Sequence, residues 1–116
     1  MQPLGVHHVA LMVDDVDEAI NFYTKTLGLT VRDDRPDFGV GGAWLDAGNQ
    51  QLHLVEGNLP TQKGQHFALL FEDLDAVIDQ LRSEGFEVGD PFATPFSKQS
   101  IMKDPAGNMV ELHQRL

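Results

Sequence analysis

HVALMVDDVDEAIN, residues 8–21, returns 58 residues later as HFALLFEDLDAVID, residues 66–79. Six of the fourteen aligned positions are identical, and all but one of the others exchange apolar for apolar or polar for polar. A match of that quality marks a duplicated unit. The same offset pairs His53 in DAGNQQLHL (46–54) with Glu111 in DPAGNMVEL (104–112), keeping the leading Asp and the final Leu. Each half therefore opens on a histidine and closes on a second side chain able to bind a metal.

The two halves read alike element by element. Val6 to Val13 is a short apolar run with β-branched residues, which predicts a strand carrying His8. Asp15 caps a helix, with Glu18 three residues on, and Val16, Ala19, Ile20, Tyr23 and Leu27 recur at helical spacing until Gly28 ends it. Leu29 to Arg35 predicts a second strand, and Pro36 with Gly39, Gly41 and Gly42 predicts a turn region. Ala43 to Ala47 and Gln51 to Glu56 then form a hairpin around Gly48-Asn49. In the second half Gln65 to Phe71 repeats the first strand, Asp73 caps a helix with Leu74, Val77, Ile78 and Leu81 on one face, and Gly85 closes it. Phe86 to Val88, Lys98 to Lys103 and Asn108 to His113 predict the last strands. The order is βαβββ twice, an α+β pattern in one domain (1–116), with module one at 1–57, module two at 64–116 and Asn58 to Gly64 as a turn-rich linker.

The 116 residues suffice for a core without crosslinks, and the absence of cysteine excludes disulfides and thiolate sites. A net charge of -10 argues against nucleic acid or an anionic membrane as partner, since both require a cationic surface. No apolar stretch approaches the roughly 20 residues that span a bilayer, and no basic leader precedes an apolar run. The expectation is a soluble, cytoplasmic protein acting on a small molecule.

A metal site needs ligands from different elements converging on one point, and neutral imidazole with carboxylate suits Zn, Ni, Co, Mn or Fe(II). His8 and His66 on the first strand of each half, with His53 and Glu111 on the last, are the candidate ligands of one divalent ion. Alternate strand residues share a face, so His113 is placed beside Glu111, whereas His7 is expected to point away from His8. A single histidine on an apolar strand is more often a hydrogen-bonded structural residue than a ligand, but the repeat puts all four in register. A carboxylate in MVELH is costly to bury without a partner. Phe38, Trp44, Phe92 and Phe96 lie in or beside loops and are candidate walls of an apolar substrate pocket that also includes His113; the competing reading puts such aromatics in the core. Arg35 and Lys98 are candidate holders of an anionic group.

At HHVALMV (7–13), GQHFALLFEDLD (64–75) and DPAGNMVEL (104–112) the sequence resembles the vicinal oxygen chelate superfamily, which includes glyoxalase I, bleomycin-binding proteins and extradiol dioxygenases. The resemblance covers the whole chain. It implies paired βαβββ modules forming a curved, open, mixed eight-stranded sheet whose concave face holds a divalent metal. It implies a metal-dependent, glyoxalase-like lyase or isomerase that binds its substrate through neighbouring oxygens and stabilises an enolate, with Glu111 as base. Ring cleavage by a two-histidine, one-carboxylate iron site (His8, His66, Glu111) is the alternative chemistry, and drug binding without chemistry is the non-enzymatic one. Metal-dependent glyoxalase I carries glutamate where His53 stands, and the fosfomycin enzymes carry threonine where Ala10 stands, which counts against that last activity. Related single-chain members pair into homodimers, which is the expectation here.

Overall fold

The computed structural model describes residues 1–59 and 64–116, so Pro60 to Lys63 of the expected linker lie outside the described residues. The chain divides into two compact units, Met1–Thr61 and Gln62–Leu116. Each is a four-stranded mixed sheet with its own helix, which is the βαβββ module the repeat predicts.

In the first unit β1 (His8–Val13) is followed by α1 (Val16–Asn21), β2 (Thr30–Val31), β3 (Gly42–Ala47) and β4 (Gln50–Glu56). The sheet order is β1-β4-β3-β2, with β1 parallel to β4 and the other pairs antiparallel. Asp15 caps α1 by accepting from the Glu18 amide at 3.0 Å. Beyond Asn21 the expected α-helix becomes a π-helical turn, Phe22–Thr26, in which the wider winding buries the consecutive Phe22 and Tyr23 together. Gly28, at φ 82°, lets the Leu29 amide bond back to Tyr23 O at 2.9 Å and stop the helix. The second strand is shorter than the expected Leu29 to Arg35. It ends at Val31, although the Arg32 amide still donates to Trp44 O at 2.8 Å and its guanidinium pairs with Asp34 and Asp46 at 2.8 Å each.

In the second unit β5 (His66–Leu70), α2 (Leu74–Ser83), β6 (Phe92–Ala93), β7 (Ser97–Lys103) and β8 (Met109–Arg115) give the order β5-β8-β7-β6. The expected strand at Phe86 to Val88 is not one; the short edge strand is Phe92–Ala93. The Val88 carbonyl accepts from Arg82 Nη2 at 2.8 Å instead of joining a ladder, and Gly89 N–H bonds to Ile101 O at 3.0 Å.

Burial follows the strand period. On β8 Val110 and Leu112 are fully buried, and Gln114 on the same face accepts from the Leu74 amide, so even-numbered residues face α2. Glu111 and His113 occupy the opposite face. On β4 Leu52, His53 and Leu54 are all buried, which requires cover on both sides of the strand. No helix among the described residues is long and apolar enough to cross a membrane.

Candidate functional site

The two halves bring their candidate ligands together in the same way. In the first unit β1 and β4 pair His8 with Gln51 and Ala10 with His53. In the second, β5 and β8 pair His66 with Met109 and Ala68 with Glu111. These registers coincide under the 58-residue offset, so each histidine of a first strand sits diagonally across from the ligand candidate of its last strand.

In the second unit a carbonyl sets the tautomer of His66. Nδ1 lies 2.8 Å from Gly64 O and must carry the proton, because a carbonyl only accepts. Nε2 then faces Glu111 Oε1 at 3.3 Å. Nε2 thus turns its lone pair toward the carboxylate, the tautomer in which a histidine can ligate a metal. His113 Nδ1 donates to Glu111 Oε2 at 2.8 Å, and the Gln99 amide, once turned so that its nitrogen rather than its oxygen meets the carboxylate, donates to both carboxylate oxygens at 3.1 Å. Glu111 thus has the polar company its burial demands, and His113 is its neighbour as strand alternation predicts.

The first unit is built of stacked rings. The His8 and His53 imidazoles stack at 4.0 Å and 13°, and Trp44 stacks on His53 at 4.4 Å and 10°. Trp44 and His8 are the cover that buries His53 on its second side. His53 Nε2 donates to Gln51 Oε1 at 2.8 Å and leaves Nδ1 with a lone pair. Burial, reinforced by His8, His7, Arg32 and Arg35, holds the His53 pKa below its ordinary value. Imidazole lone pairs lie in the ring plane, so two parallel stacked rings do not aim at one ion until one turns; His8, the exposed member, is free to do so.

One expectation is corrected here. His7 was expected to face away from His8, yet His7 Nδ1 lies 2.9 Å from His8 Nδ1 and both line the same cavity. The strand begins at His8, so its alternation does not reach His7.

That cavity, about 700 Å³, opens on the ring stack and is lined by His7, His8, Arg35, Phe38, Trp44 and His53, among others. Phe38 and Trp44 stand side by side in that lining, with ring centroids 6.1 Å apart. Arg35 lies over Phe38 at 5.1 Å. Phe92 and Phe96 belong to the second unit and are exposed, Phe96 by 80%. Lys98 is not free to hold an anion, because Asp75 takes its ammonium at 2.6 Å.

Gln51, Gln99, Arg32 and Asp34 were not singled out from the sequence. Gln51 had a signal, lying two residues before His53 on the same strand face. Gln99 had none, since its place opposite His113 depends on the β7–β8 register.

Among the described residues no three His, Asp or Glu side chains are grouped so as to hold a metal ion. The fit of the residues to a metal rests on their chemistry: three imidazoles and a carboxylate suit a first-row divalent ion, and His66 already has the ligand tautomer.

A family model described as Glyoxalase/Bleomycin resistance protein/Dioxygenase superfamily matches residues 5–112. The lactoylglutathione lyase of Arabidopsis thaliana is 28% identical over 93% of this chain, which spans 43% of that relative's length. A protein of Vibrio cholerae provisionally named a lactoylglutathione lyase is 28% identical, over 92% of this chain and 88% of its own. Among solved structures, a provisional glyoxalase family protein from Bacillus anthracis superposes with a TM-score of 0.89 at 28% identity, covering 100% of this chain and 98% of that one. An antibiotic-binding protein from Streptomyces sp. CB03234 superposes at 0.81 with 25% identity, covering 100% and 99%.

Proposed function

Because the chain belongs to the glyoxalase/bleomycin resistance protein/dioxygenase superfamily, we propose that it is a divalent-metal-dependent lyase or isomerase acting on a small substrate through neighbouring oxygens. His8, His53, His66 and Glu111 are its proposed metal ligands. One observation supports the reading: both halves hold a pair of candidate ligands at the same register point of parallel strands, and His66 Nδ1 meets Gly64 O with its second nitrogen toward Glu111. The names of the plant and Vibrio relatives support the reaction class, a proton shift in a hemithioacetal.

When bound, a divalent ion supplies Lewis-acid stabilisation of an oxyanion developing beside a carbonyl. The chain's own groups do the rest. Glu111 accepts the proton from the carbon next to the carbonyl, while His113 Nδ1–H and the Gln99 amide hold its carboxylate in one orientation. Glu111 then returns the proton to the neighbouring carbon, which completes the isomerisation with no net gain or loss of protons.

The test is elemental analysis of protein purified without added metal, together with an assay of hemithioacetal isomerisation. The expected result is one ion of Zn, Ni, Co or Mn per site, lost along with activity in His66→Ala. Unchanged metal content in that variant overturns the ligand assignment, and Fe(II) with oxygen uptake moves the reading to ring cleavage. A second reading, binding of a drug-like molecule without chemistry, is supported by the ring-lined cavity and by the antibiotic-binding protein of the same fold. It predicts tight ligand binding that chelators leave unchanged.

A further inference from the structure

We propose that the cavity of the first unit selects a planar, conjugated carboxylate, with Arg35 gripping the carboxylate and the Phe38–Trp44 wall taking the ring. The inference names a substrate class for the site proposed above, and so rests on that reading, but it concerns a binding step that needs no metal.

The argument starts from the shape of the wall. Three parallel ring systems, His8, His53 and Trp44, lie 4.0 and 4.4 Å apart, and Phe38 leans toward Trp44 at 44°. His8 and Trp44 cover both faces of His53, so the faces left to a ligand are those of Phe38 and of Trp44 on its side away from His53, and these reward a flat ligand over a branched or puckered one of the same volume. Phe38 is 58% exposed and is followed by Gly39 at φ 75°, so its ring can adjust to an incoming plane. A cavity of about 700 Å³ falls within the size range of small-molecule sites, and one or two fused rings with an acid group fit it easily.

The lining carries two guanidinium groups, Arg32 and Arg35, and one carboxylate, Asp34. Arg32 is fully engaged, forking onto Asp34 and Asp46. Arg35 has no carboxylate partner among the described residues; one hydrogen bond, Nη2 to Val40 O at 3.0 Å, and the Phe38 ring hold it in place. Most of its five N–H donors are left for a ligand, and a planar fork matches a carboxylate with two parallel bonds. In a chain of net charge -10, a spare cation beside an aromatic wall is a local reversal of the global field.

Trp44 is the single tryptophan of the chain, so its emission reports on this wall alone. Chelator-treated protein is titrated calorimetrically with 2-naphthoate, 2-naphthalenemethanol and cyclohexanecarboxylate, with Trp44 emission followed in parallel where ligand absorbance permits. The expectation is that 2-naphthoate binds at least tenfold tighter than either comparator. Arg35→Gln equalises the naphthoate and the alcohol, whereas Arg35→Lys keeps part of the preference and Phe38→Ala weakens both ligands alike. Circular dichroism of each variant separates lost binding from lost fold. Equal affinity for acid and alcohol in the unaltered protein, or an acid preference that survives Arg35→Gln, overturns the inference. The metal content of His66→Ala is independent of all these titrations, so this inference and the metal assignment fail separately.

Discussion

His53 shows how one residue records both packing and chemistry. Its ring is 8% exposed, sandwiched between His8 and Trp44, and protonation there would put a charge where water is excluded and cationic groups are close. The folded chain therefore binds fewer protons at this position than the unfolded chain does below the ordinary histidine pKa of about 6.5. Stability present above that pH is lost as pH falls toward the lowered folded value. Urea denaturation at stepped pH is expected to show this loss setting in as pH falls below about 6.5, and His53→Gln is expected to flatten it. A curve with the same slope in the variant would assign the acid sensitivity elsewhere. Gly42 is a second point of tension, because a Cβ there would meet Leu54 O and sit 2.8 Å from Arg35 Nη2. Gly42→Ala is expected to cost about 1–3 kcal/mol, the usual range for overpacking, with an accompanying loss of affinity for anionic ligands. Most of these residues were legible from the repeat, which puts the four candidate ligands in two pairs. His7 was misread because an alternation rule was extended one residue beyond the strand, and Lys98 because a sequence does not show that Asp75 on the helix lies opposite it.

At the scale of elements the duplication is close in the strands and loosest in the loops. Ala47 pairs with Gln50 across a two-residue turn, with Gly48 at φ 64° and no positive φ at Asn49, the pattern of a II′ hairpin. The matching connection runs from Lys103 to Met109 and is longer. Asp46 and Asp104 thus align in sequence but do different things: Asp46 accepts from Arg32, while Asp104 organises the turn. Asp104 is 5% exposed and accepts from the Ala106 amide at 3.0 Å, the Asn108 amide at 2.7 Å and Asn108 Nδ2 at 2.9 Å. Asp104→Ala leaves those buried donors without an acceptor, and charge-assisted bonds contribute about 1.5–3 kcal/mol. A loss of about 2–4 kcal/mol in chemical denaturation is expected, several times the roughly 1 kcal/mol expected for the helix cap variant Asp73→Ala. Comparable losses would mean that the loop, like the cap, is only a local fastener. The helix starts and the first and last strands of each half were readable because caps and periodicity are local signals. The edge strands were not: Leu29 to Arg35 and Phe86 to Val88 have strand-like composition, but the ladder of the first stops at Val31 and the Val88 carbonyl is taken by Arg82, neither of which composition encodes.

The whole molecule carries 18 acidic and 8 basic residues, and this surplus acts on any anionic ligand before it reaches Arg35. Two fields then compete, a long-range repulsion from the net charge and a short-range attraction inside the cavity. Salt separates them, because the screening length shrinks from about 30 Å at 0.01 M to about 10 Å at 0.1 M. That interval removes the distant repulsion while leaving a contact pair of a few ångströms largely intact. The association rate of 2-naphthoate, followed by stopped-flow Trp44 emission, is therefore expected to rise severalfold across that range, with little change in the dissociation rate. 2-Naphthalenemethanol, lacking charge, is expected to show no salt dependence in either rate. An association rate for the acid that falls with salt would mean that local attraction already dominates at long range, as it would if a cluster of cations rather than Arg35 alone formed the entrance. The comparison thus tests at the level of the whole charge distribution whether one guanidinium defines the preference of the cavity.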